Sequence, residues 1–485
     1  MKKLQIVTVC LSLLALASCK KSDKAVVSVP LLQVGKAISN SGTLAAGTYK
    51  GTMLANQTYT VGGDITINAG DTLLIQKGVT INMTNGANFI VNGTLLSLGT
   101  SDAPVTITDP TKQKTMGASL VATDPAYVGG WGGIYCSSTS PLVVVKWTHL
   151  NFGGHALAAL PFAATAGLAA GNQYLLYYNN PNGVFVLEDS WLYGSPDDAT
   201  RFYGGYIDIM RNTMEKCGST GGDGFNAKGS SYGNMAYNLI IGGATNGTKT
   251  ASDGTTAGEC QFAMYNNTYV NDGFRNTGVY GARSGSVEIE NNSRALVYNN
   301  LIVDCNFGVR IAGGPAGAKV YLADTTYNAS SVITKTAYGY NFYYADNAAM
   351  AGQFVPTSVA QAVVTHPQST DIPNMVSFFT SQNINYTFGL VYDGSSLVGK
   401  NNPMFVNYPL PAAANFWTTQ ASVDNYNFHL QAGSPAAGKG TTNASLIKPI
   451  VPANVKIDAN FGPSEITLPG ADMGCYQLNG SGNKH

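Results

Sequence analysis

The chain has 485 residues, of which only 11% are charged, and its 27 basic groups balance its 27 acidic groups. Proteins that bind nucleic acid usually carry a basic excess to neutralise phosphates, so this balance argues against a nucleic-acid partner. The 56 glycines and 27 tyrosines, with many Asn and Thr residues, predict a β-rich chain with many turns.

The first residues have the order of a secretory signal peptide. Lys2 and Lys3 precede an apolar run over residues 4–17, and LASC at residues 16–19 ends it. The run has about 14 residues, fewer than the roughly 20 that a membrane-spanning helix needs. We therefore predict that residues 1–18 are a lipoprotein signal peptide that is removed.

The end of this segment resembles the bacterial lipobox, in which a small residue precedes a cysteine that is lipidated. The resemblance implies Cys19 as the lipid anchor, because several acyl chains on one cysteine hold firmly when each buried methylene adds about 0.8 kcal/mol. Residues 19–41 then form a tether. Its start, KKSDK at residues 20–24, faintly resembles the charged signals of Bacteroidetes surface lipoproteins. We expect an outer-membrane lipoprotein, on the cell surface rather than the periplasmic face.

An internal repeat begins after the tether. Three short apolar runs recur between residues 64 and 108, at spacings of 24 (65 to 89), 22 (73 to 95) and 26 (81 to 107) residues. A hairpin meander gives no reason for three distinct strands to recur together, whereas stacked coils with three faces do. The predicted fold class is all-β, a right-handed parallel β-helix over residues 42–477.

One rung motif returns farther along the chain. It begins at Asp189, Asn212, Asn238, Asn267 and Asn300, at intervals of 23, 26, 29 and 33 residues. A constant motif with growing intervals predicts loops that lengthen on one side of a fixed scaffold. Asn suits a turn because its amide bonds the backbone and it tolerates left-handed φ. Stacked coils would set these amides in a structural ladder about 4.8 Å apart.

Other segments depart from the repeat. Residues 155–171 are predicted to form a short helix or a loop against the stack, and residues 242–258 a loop. From about residue 313 we expect irregular coils, with one more rung at residues 341–344 (NFYY). Residues 478–485 are a tail.

Several motifs carry a family resemblance. Residues 297–303 (VYNNLIV) look like the β-helix repeats of secreted carbohydrate-active proteins, and residues 130–134 (GWGGI) are similar to a segment of exported Bacteroidetes β-helix proteins. Residues 428–436 (FHLQAGSPA) and 472–476 (DMGCY) resemble their closing segment, except that Cys475 stands where a small residue is typical. The resemblance implies an architecture, and it predicts that residues 425–477 cap the open end of the stack.

The cysteines are expected to be unpaired. Cys217 and Cys305 occupy the same place in rungs that are three coils apart. Three coils span about 14 Å, whereas a disulfide needs α-carbons within about 7 Å. Inward positions would bury these sulfurs as small apolar groups.

Two classes of function remain. The first is a non-catalytic envelope protein that binds glycan or another surface polymer, or has a structural role, with the membrane as its other partner. Aromatic faces suit sugar rings. The candidates for glycan contact are Trp191, Tyr203, Tyr206, Tyr232 and Tyr280.

The second class is a polysaccharide lyase, or less favourably a glycoside hydrolase, that acts on a uronic-acid polymer. Lyases that the chain resembles need a base to abstract a proton and an Arg or Ca²⁺ to neutralise the uronate carboxylate. Ca²⁺ is therefore expected only under this hypothesis, and no other cofactor or metal is predicted. The catalytic candidates are Lys228, Arg283, Arg310, Asp223, Glu288 and Glu290. Strand alternation puts both glutamates on one face, which is usually solvated, and Asp197-Asp198 lies in a turn context. The enzyme hypothesis requires these side chains to share one face.

Overall fold

The computed structural model describes residues 32–117, 119–160, 162, 168–252, 258–276, 284–290, 293–312, 333, 336–346, 350, 401–410, 423–451 and 466–485. The chain divides into two units, Met1–Leu32 and Gln33–His485, and the fold below is that of the second. Cys19, Tyr280 and Arg283 lie outside the described residues. Within these ranges, no helix has the length and apolar character needed to cross a membrane.

The strands stack as a right-handed parallel β-helix, as the repeat predicts. Each coil contributes one strand to each of three faces, and the first face is a sheet of eleven described strands. These strands are β1 (Thr43–Leu44), β4 (Thr58–Val61), β7 (Thr80–Met83), β10 (Val105–Thr108), β13 (Thr148–Asn151), β16 (Trp191–Ser195), β18 (Thr213–Cys217), β20 (Leu239–Ile241), β23 (Thr268–Val270), β26 (Leu301–Val303) and β29 (Phe342–Tyr344).

The second and third faces join in one sheet, because β17 (Thr200–Met210) and β19 (Phe225–Ala236) run through both. The second face also holds β2 (Gly47–Thr48), β5 (Ile65–Ile67), β8 (Phe89–Val91), β11 (Ile134–Cys136), β14 (Leu176–Tyr178), β21 (Asn246–Ala251), β24 (Gly285–Glu290) and β27 (Val309–Ala312). The third face also holds β3 (Gly51–Met53), β6 (Thr72–Ile75), β9 (Thr94–Leu98), β12 (Leu142–Lys146), β15 (Val184–Glu188), β22 (Cys260–Tyr265), β25 (Ser293–Tyr298) and β28 (Ala337–Gly339).

The register confirms the repeat that the sequence predicts. Ile65 pairs with Phe89, and Leu73 pairs with Leu95, each in a parallel ladder. Ile81 pairs with Ile107 in the same way. The three spacings of 24, 22 and 26 residues are therefore single turns of the coil.

Inward side chains fill the stack with one continuous apolar core. Because successive strand residues point to opposite faces, each strand supplies a few inward positions, and neighbouring coils place like residues above one another. Phe185 and Phe262 of the third face meet Phe202 and Phe225 of the second face inside this core, with successive ring centroids 5.0, 5.6 and 5.1 Å apart in the order Phe185, Phe202, Phe225, Phe262. Burial of each such side chain contributes roughly 1.5–3 kcal/mol.

A ladder of buried asparagines joins successive coils at the corner between the third and first faces, which confirms the predicted amide ladder. Asn212 Nδ2 donates to Asn238 Oδ1 at 2.9 Å, and Asn238 Nδ2 donates to Asn267 Oδ1 at 3.0 Å. Asn267 and Asn300 continue the ladder at 3.0 and 2.9 Å, and it ends at Asn341, the additional rung.

The start of this ladder differs from the sequence alignment by one residue. Trp191 pairs with Thr213, so Ser190, and not Asp189, lies opposite Asn212, and the first interval is 22 residues. Ser190 N donates to Asn212 Oδ1 at 3.0 Å. The left-handed residue of each coil directly precedes the ladder residue, as at Asp189 (φ 47°) and Asn299 (φ 58°). The ladder asparagines themselves are not left-handed.

Two segments outside the repeat are now placed. Residues 242–258 are not simply a loop, because β21 pairs with β19 and β24 on the second face. Within residues 155–171, Leu157, Leu160 and Leu168 pack on Tyr135 and Tyr177, so the described part of this segment leans against the stack without forming a helix.

The C-terminal region packs along the flank of the stack. Its antiparallel strands β30 (Phe405–Asn407) and β31 (Asn427–Leu430) belong to a second apolar cluster, which also contains Tyr265 and Tyr298 from the third face. Cys475 N donates to Thr268 Oγ1 at 2.9 Å, within the first face. The described residues of 425–477 therefore cover a side of the coils, in contrast to the expected cap on the open end.

The five cysteines of the described residues are buried and free, as expected: Cys136, Cys217, Cys260, Cys305 and Cys475. Burial raises the pKa of the Cys217 and Cys260 thiols to about 12. The thiolate is the reactive form of cysteine, and a raised pKa disfavours it. Stacking and hydrogen bonds, and not cross-links between these cysteines, hold the described coils together.

Candidate functional site

Two surfaces of the stack carry the residues that the sequence singles out. The first is a charged column on the outside of the second face. Asn226 pairs with Lys249, Lys249 with Glu288, and Glu288 with Arg310, in four successive coils. Outward positions repeat in each coil because the strands are in register. Asp223 begins the turn before this face, and Lys228 and Glu290 follow two residues beyond the column.

Hydrogen bonds and ion pairs join this column into one network. Asn246 Nδ2 donates to Asp223 Oδ1 at 2.9 Å and to Glu288 Oε2 at 2.8 Å. Lys249 Nζ lies 2.6 Å from Glu290 Oε1, and Arg310 pairs with the other oxygen of Glu288. The structure thus brings five of the six charged candidates to one face, whereas Arg283 lies outside the described residues.

Burial sets the electrostatics of the network. Glu288 and Arg310 are fully buried, so the expectation of a solvated carboxylate face is wrong. Burial, then the neighbouring Asp198, raises the pKa of Asp223 to about 7, and burial followed by Glu288 raises that of Glu290. Asp198 is also buried. Its carboxylate accepts a hydrogen bond from Asp223 N at 2.8 Å and one from Asn226 Nδ2 at 2.9 Å. The network satisfies buried charges by pairing them.

Lys228 differs from the other charged candidates. It is half-buried, and its ammonium group has no ion pair or hydrogen bond within the part of the chain that the structure describes. Burial lowers its pKa, and the nearby Lys249 and Arg201 lower it further. A lysine with a lowered pKa is a suitable proton acceptor. Among the described residues, no group of three or more His, Cys, Asp or Glu side chains could hold a metal ion.

The aromatic candidates do not form one platform. Trp191 lies on the first face, Tyr203 on the second, and Tyr206 and Tyr232 on the third. Tyr206 is buried, and its hydroxyl donates to the carbonyl of Ile450 at 3.2 Å. Tyr280 lies outside the described residues. Two of these side chains line open clefts: Tyr232 lies in one of about 330 Å³ with Lys448 and aliphatic side chains, and Trp191 lies in one where several aromatic rings meet.

Trp191 lines an open cleft of about 350 Å³ between the first face and the C-terminal region. Small-molecule sites usually occupy roughly 300–1,000 Å³. The rings that line the cleft belong to Trp191, Tyr426, Phe428, His429, Tyr476 and His485. Asp424 and Asn427 supply exposed polar groups to the same cleft.

Polar contacts hold the indole of Trp191 in place. Its Nε1 donates to Glu215 Oε1 at 3.2 Å, because Glu215 lies one coil away on β18. Lys114 Nζ stands over the indole, 4.1 Å from the ring centroid, and contacts Glu215 Oε1 at 3.4 Å and Asp424 Oδ1 at 3.8 Å. These contacts preorganise the ring.

Three histidines that are distant in sequence meet around this cleft. The rings of His149 and His485 lie 5.8 and 5.7 Å from Trp191, and that of His429 lies 4.1 Å from Tyr476. Burial, followed by Lys114 and His485, lowers the pKa of His149 to about 4. Burial also lowers the pKa of His429 and of His485. All three rings are therefore neutral at pH 7.

The cleft can accept a ligand with flat apolar faces and several hydroxyl groups. The half-buried rings of Trp191 and Tyr426 and the exposed ring of His429 supply stacking surfaces, whereas the rings of Phe428 and Tyr476 are buried. Asp424 accepts hydrogen bonds, and Asn427 both donates and accepts them. Comparisons with protein-family models, with curated proteins and with solved structures returned no match.

Proposed function

We propose that this chain is a cell-envelope lipoprotein whose β-helix binds glycan in the aromatic cleft beside Trp191. The observation that carries the proposal is the convergence of Trp191, Tyr426, Phe428 and Tyr476 on one open cleft. Sugar rings present apolar C–H faces that pack on aromatic rings. The same cleft offers the Asp424 carboxylate and the Asn427 amide to the hydroxyl groups at the ring edge.

The proposed location follows from the N-terminal segment. The lipobox-like sequence at residues 16–19 supports an anchor at Cys19, and the residues that follow support display on the outer-membrane surface. The tether is shorter than the expected residues 19–41, because Val34 N donates to Thr52 Oγ1 at 2.9 Å and Ile38 N to the Thr52 carbonyl at 2.8 Å. About 15 residues remain before Val34, and an extended chain spans at most about 3.3–3.6 Å per residue, which supports access to surface polymers. The proposal therefore assigns the chain to the Bacteroidetes type of β-helix lipoprotein.

Replacing Trp191 by alanine is expected to weaken glycan binding at least tenfold. Loss of one stacked aromatic ring removes about 1.5–3 kcal/mol of burial energy. Isothermal titration calorimetry against a panel of neutral and acidic polysaccharides measures the effect. W191F retains a ring and should lose less, while Tyr232→Ala, which changes the third face, should bind normally. Unchanged affinity of a correctly folded W191A protein would contradict the proposal.

A second candidate function is a polysaccharide lyase at the charged column of the second face. The observation that favours it is the amine of Lys228, which has a lowered pKa and no ion pair or hydrogen bond among the described residues, near Asp223 and Glu290. A positioned general base contributes about 10²–10⁴-fold to a rate. If the candidate holds, uronic-acid polymers incubated with the protein yield unsaturated product ends by ultraviolet absorbance, and Lys228→Ala loses at least about a hundredfold. Absence of product from every polymer tested excludes it.

A further inference from the structure

Two cations beside the cleft, Lys114 and Arg211, are already paired with carboxylates. The described lining contains no Lys or Arg side chain. Lys114, which stands beside it, contacts two carboxylates, Glu215 and Asp424. Arg211, which is close enough to His485 to affect its pKa, pairs with Asp189 Oδ1 at 2.8 Å and with Glu188 Oε2 at 3.3 Å. Neither cation is left to pair with an anionic ligand.

The balance of charge at the cleft is negative. One ammonium group at Lys114 faces the two carboxylates of Glu215 and Asp424. Glu215 is fully buried, whereas Asp424 is exposed at the rim and meets an entering ligand first. The three neighbouring histidines add no positive charge at pH 7, because burial lowers the pKa of each.

We infer that the cleft selects uncharged sugars and discriminates against glycans that carry carboxylate, sulfate or phosphate groups, an inference that rests on the proposed glycan binding. An anionic group would lose its hydration on entry, approach Asp424, and gain no cation in return. A neutral pyranose meets no such penalty, since its C–H face packs on Trp191 and its hydroxyls donate to Asp424.

The charged column and the aromatic cleft differ in the ligand that each would accept. The charged column contains the cations that a uronate would require, but those of Lys249 and Arg310 are paired with carboxylates. The aromatic cleft instead provides stacking faces and hydrogen-bond acceptors. Selection by charge therefore distinguishes binding in the cleft from any reaction of uronate polymers on the second face.

Matched oligosaccharides that differ only in charge test the selectivity. Titration calorimetry of the whole mature protein uses hexamers of cellulose, mannan and laminarin with the C6-carboxylate or sulfate derivative of each, and a xylan hexamer with its sulfate derivative. We expect the protein to bind a neutral hexamer at least tenfold more tightly than its charged derivative. Added salt should reduce this difference in affinity because it screens the repulsion. The Asp424→Asn variant should discriminate less, because it removes the carboxylate at the rim but keeps an acceptor.

The outcomes are distinct for the two proposals. A charged derivative that binds as tightly as its neutral counterpart, with W191A abolishing both, overturns the selectivity and leaves glycan binding in place. Binding of a charged derivative alone overturns it as well. Failure of every hexamer and derivative to bind overturns both. If the Asp424→Asn variant keeps the same ratio of affinities for neutral and charged hexamers, then Asp424 is not the source of the repulsion.

Discussion

Asn267→Ala is expected to lower the free energy of unfolding by more than about 3 kcal/mol, because each buried polar group left without a partner costs about 1–3 kcal/mol. The side-chain oxygen of Asn267 accepts from Asn238 N and Nδ2, both at 3.0 Å. Its side-chain nitrogen donates to the carbonyl of Met235 and to Asn300 Oδ1, also at 3.0 Å. Alanine removes the side-chain partner of Asn238 N and of the Met235 carbonyl inside the stack, while Asn238 Nδ2 keeps its bond to Ile209 and Asn300 Oδ1 keeps the bond from Asn267 N.

Chemical denaturation followed by circular dichroism measures this loss. Asn40→Ala is the matched control, because Asn40 is exposed and bonds only the exposed Gln57, so its removal should change stability by less than about 0.5 kcal/mol. Equal effects of the two substitutions would show that the asparagine ladder does not stabilise the coils.

Cys19→Ala is expected to release the protein from the membrane completely. The reason is that the lipobox-like segment holds no other cysteine to which acyl chains could be attached. Metabolic labelling with a fatty-acid analogue, followed by separation of membrane and soluble fractions, measures the change. Cys10→Ala is the matched control, because Cys10 lies inside the removed segment and its loss should leave labelling intact. Labelling that persists in the Cys19→Ala variant would disprove the anchor.

Periodicity was sufficient to predict the architecture. The spacings between the apolar runs at residues 65–107 correspond to single turns of the coil, because each inward residue packs on its equivalent in the next coil. The asparagine spacing predicted the ladder for a similar reason, since an amide both donates and accepts along the stacking axis. The misalignment at Asp189 arose because a serine stands at the ladder position, where the hydroxyl oxygen of Ser190 accepts from Thr148 N at 3.0 Å as the asparagine oxygens do in later coils.

The candidate site was predictable only in part. Alternation placed Glu288 on an outward position, but no pattern in the chain indicated that the column would be buried. Trp191 was identifiable as a large aromatic residue near a turn. Its partners Asp424, Tyr426 and Tyr476 are more than 200 positions away in regions without a period, so no spacing rule relates them to it. The meeting of three histidines there was hidden for the same reason.

The flanking C-terminal region also bears on how this solenoid comes apart. In a simple stack each coil touches only its neighbours, so end coils can fray one by one. Here Asn483 Nδ2 donates to the carbonyl of Asn212, Ile450 N donates to Asn234 Oδ1, and Thr441 N donates to Asn299 Oδ1, so these contacts reach across four successive coils. A strap of this kind couples the fraying of those coils, and we expect the four to melt as one cooperative block.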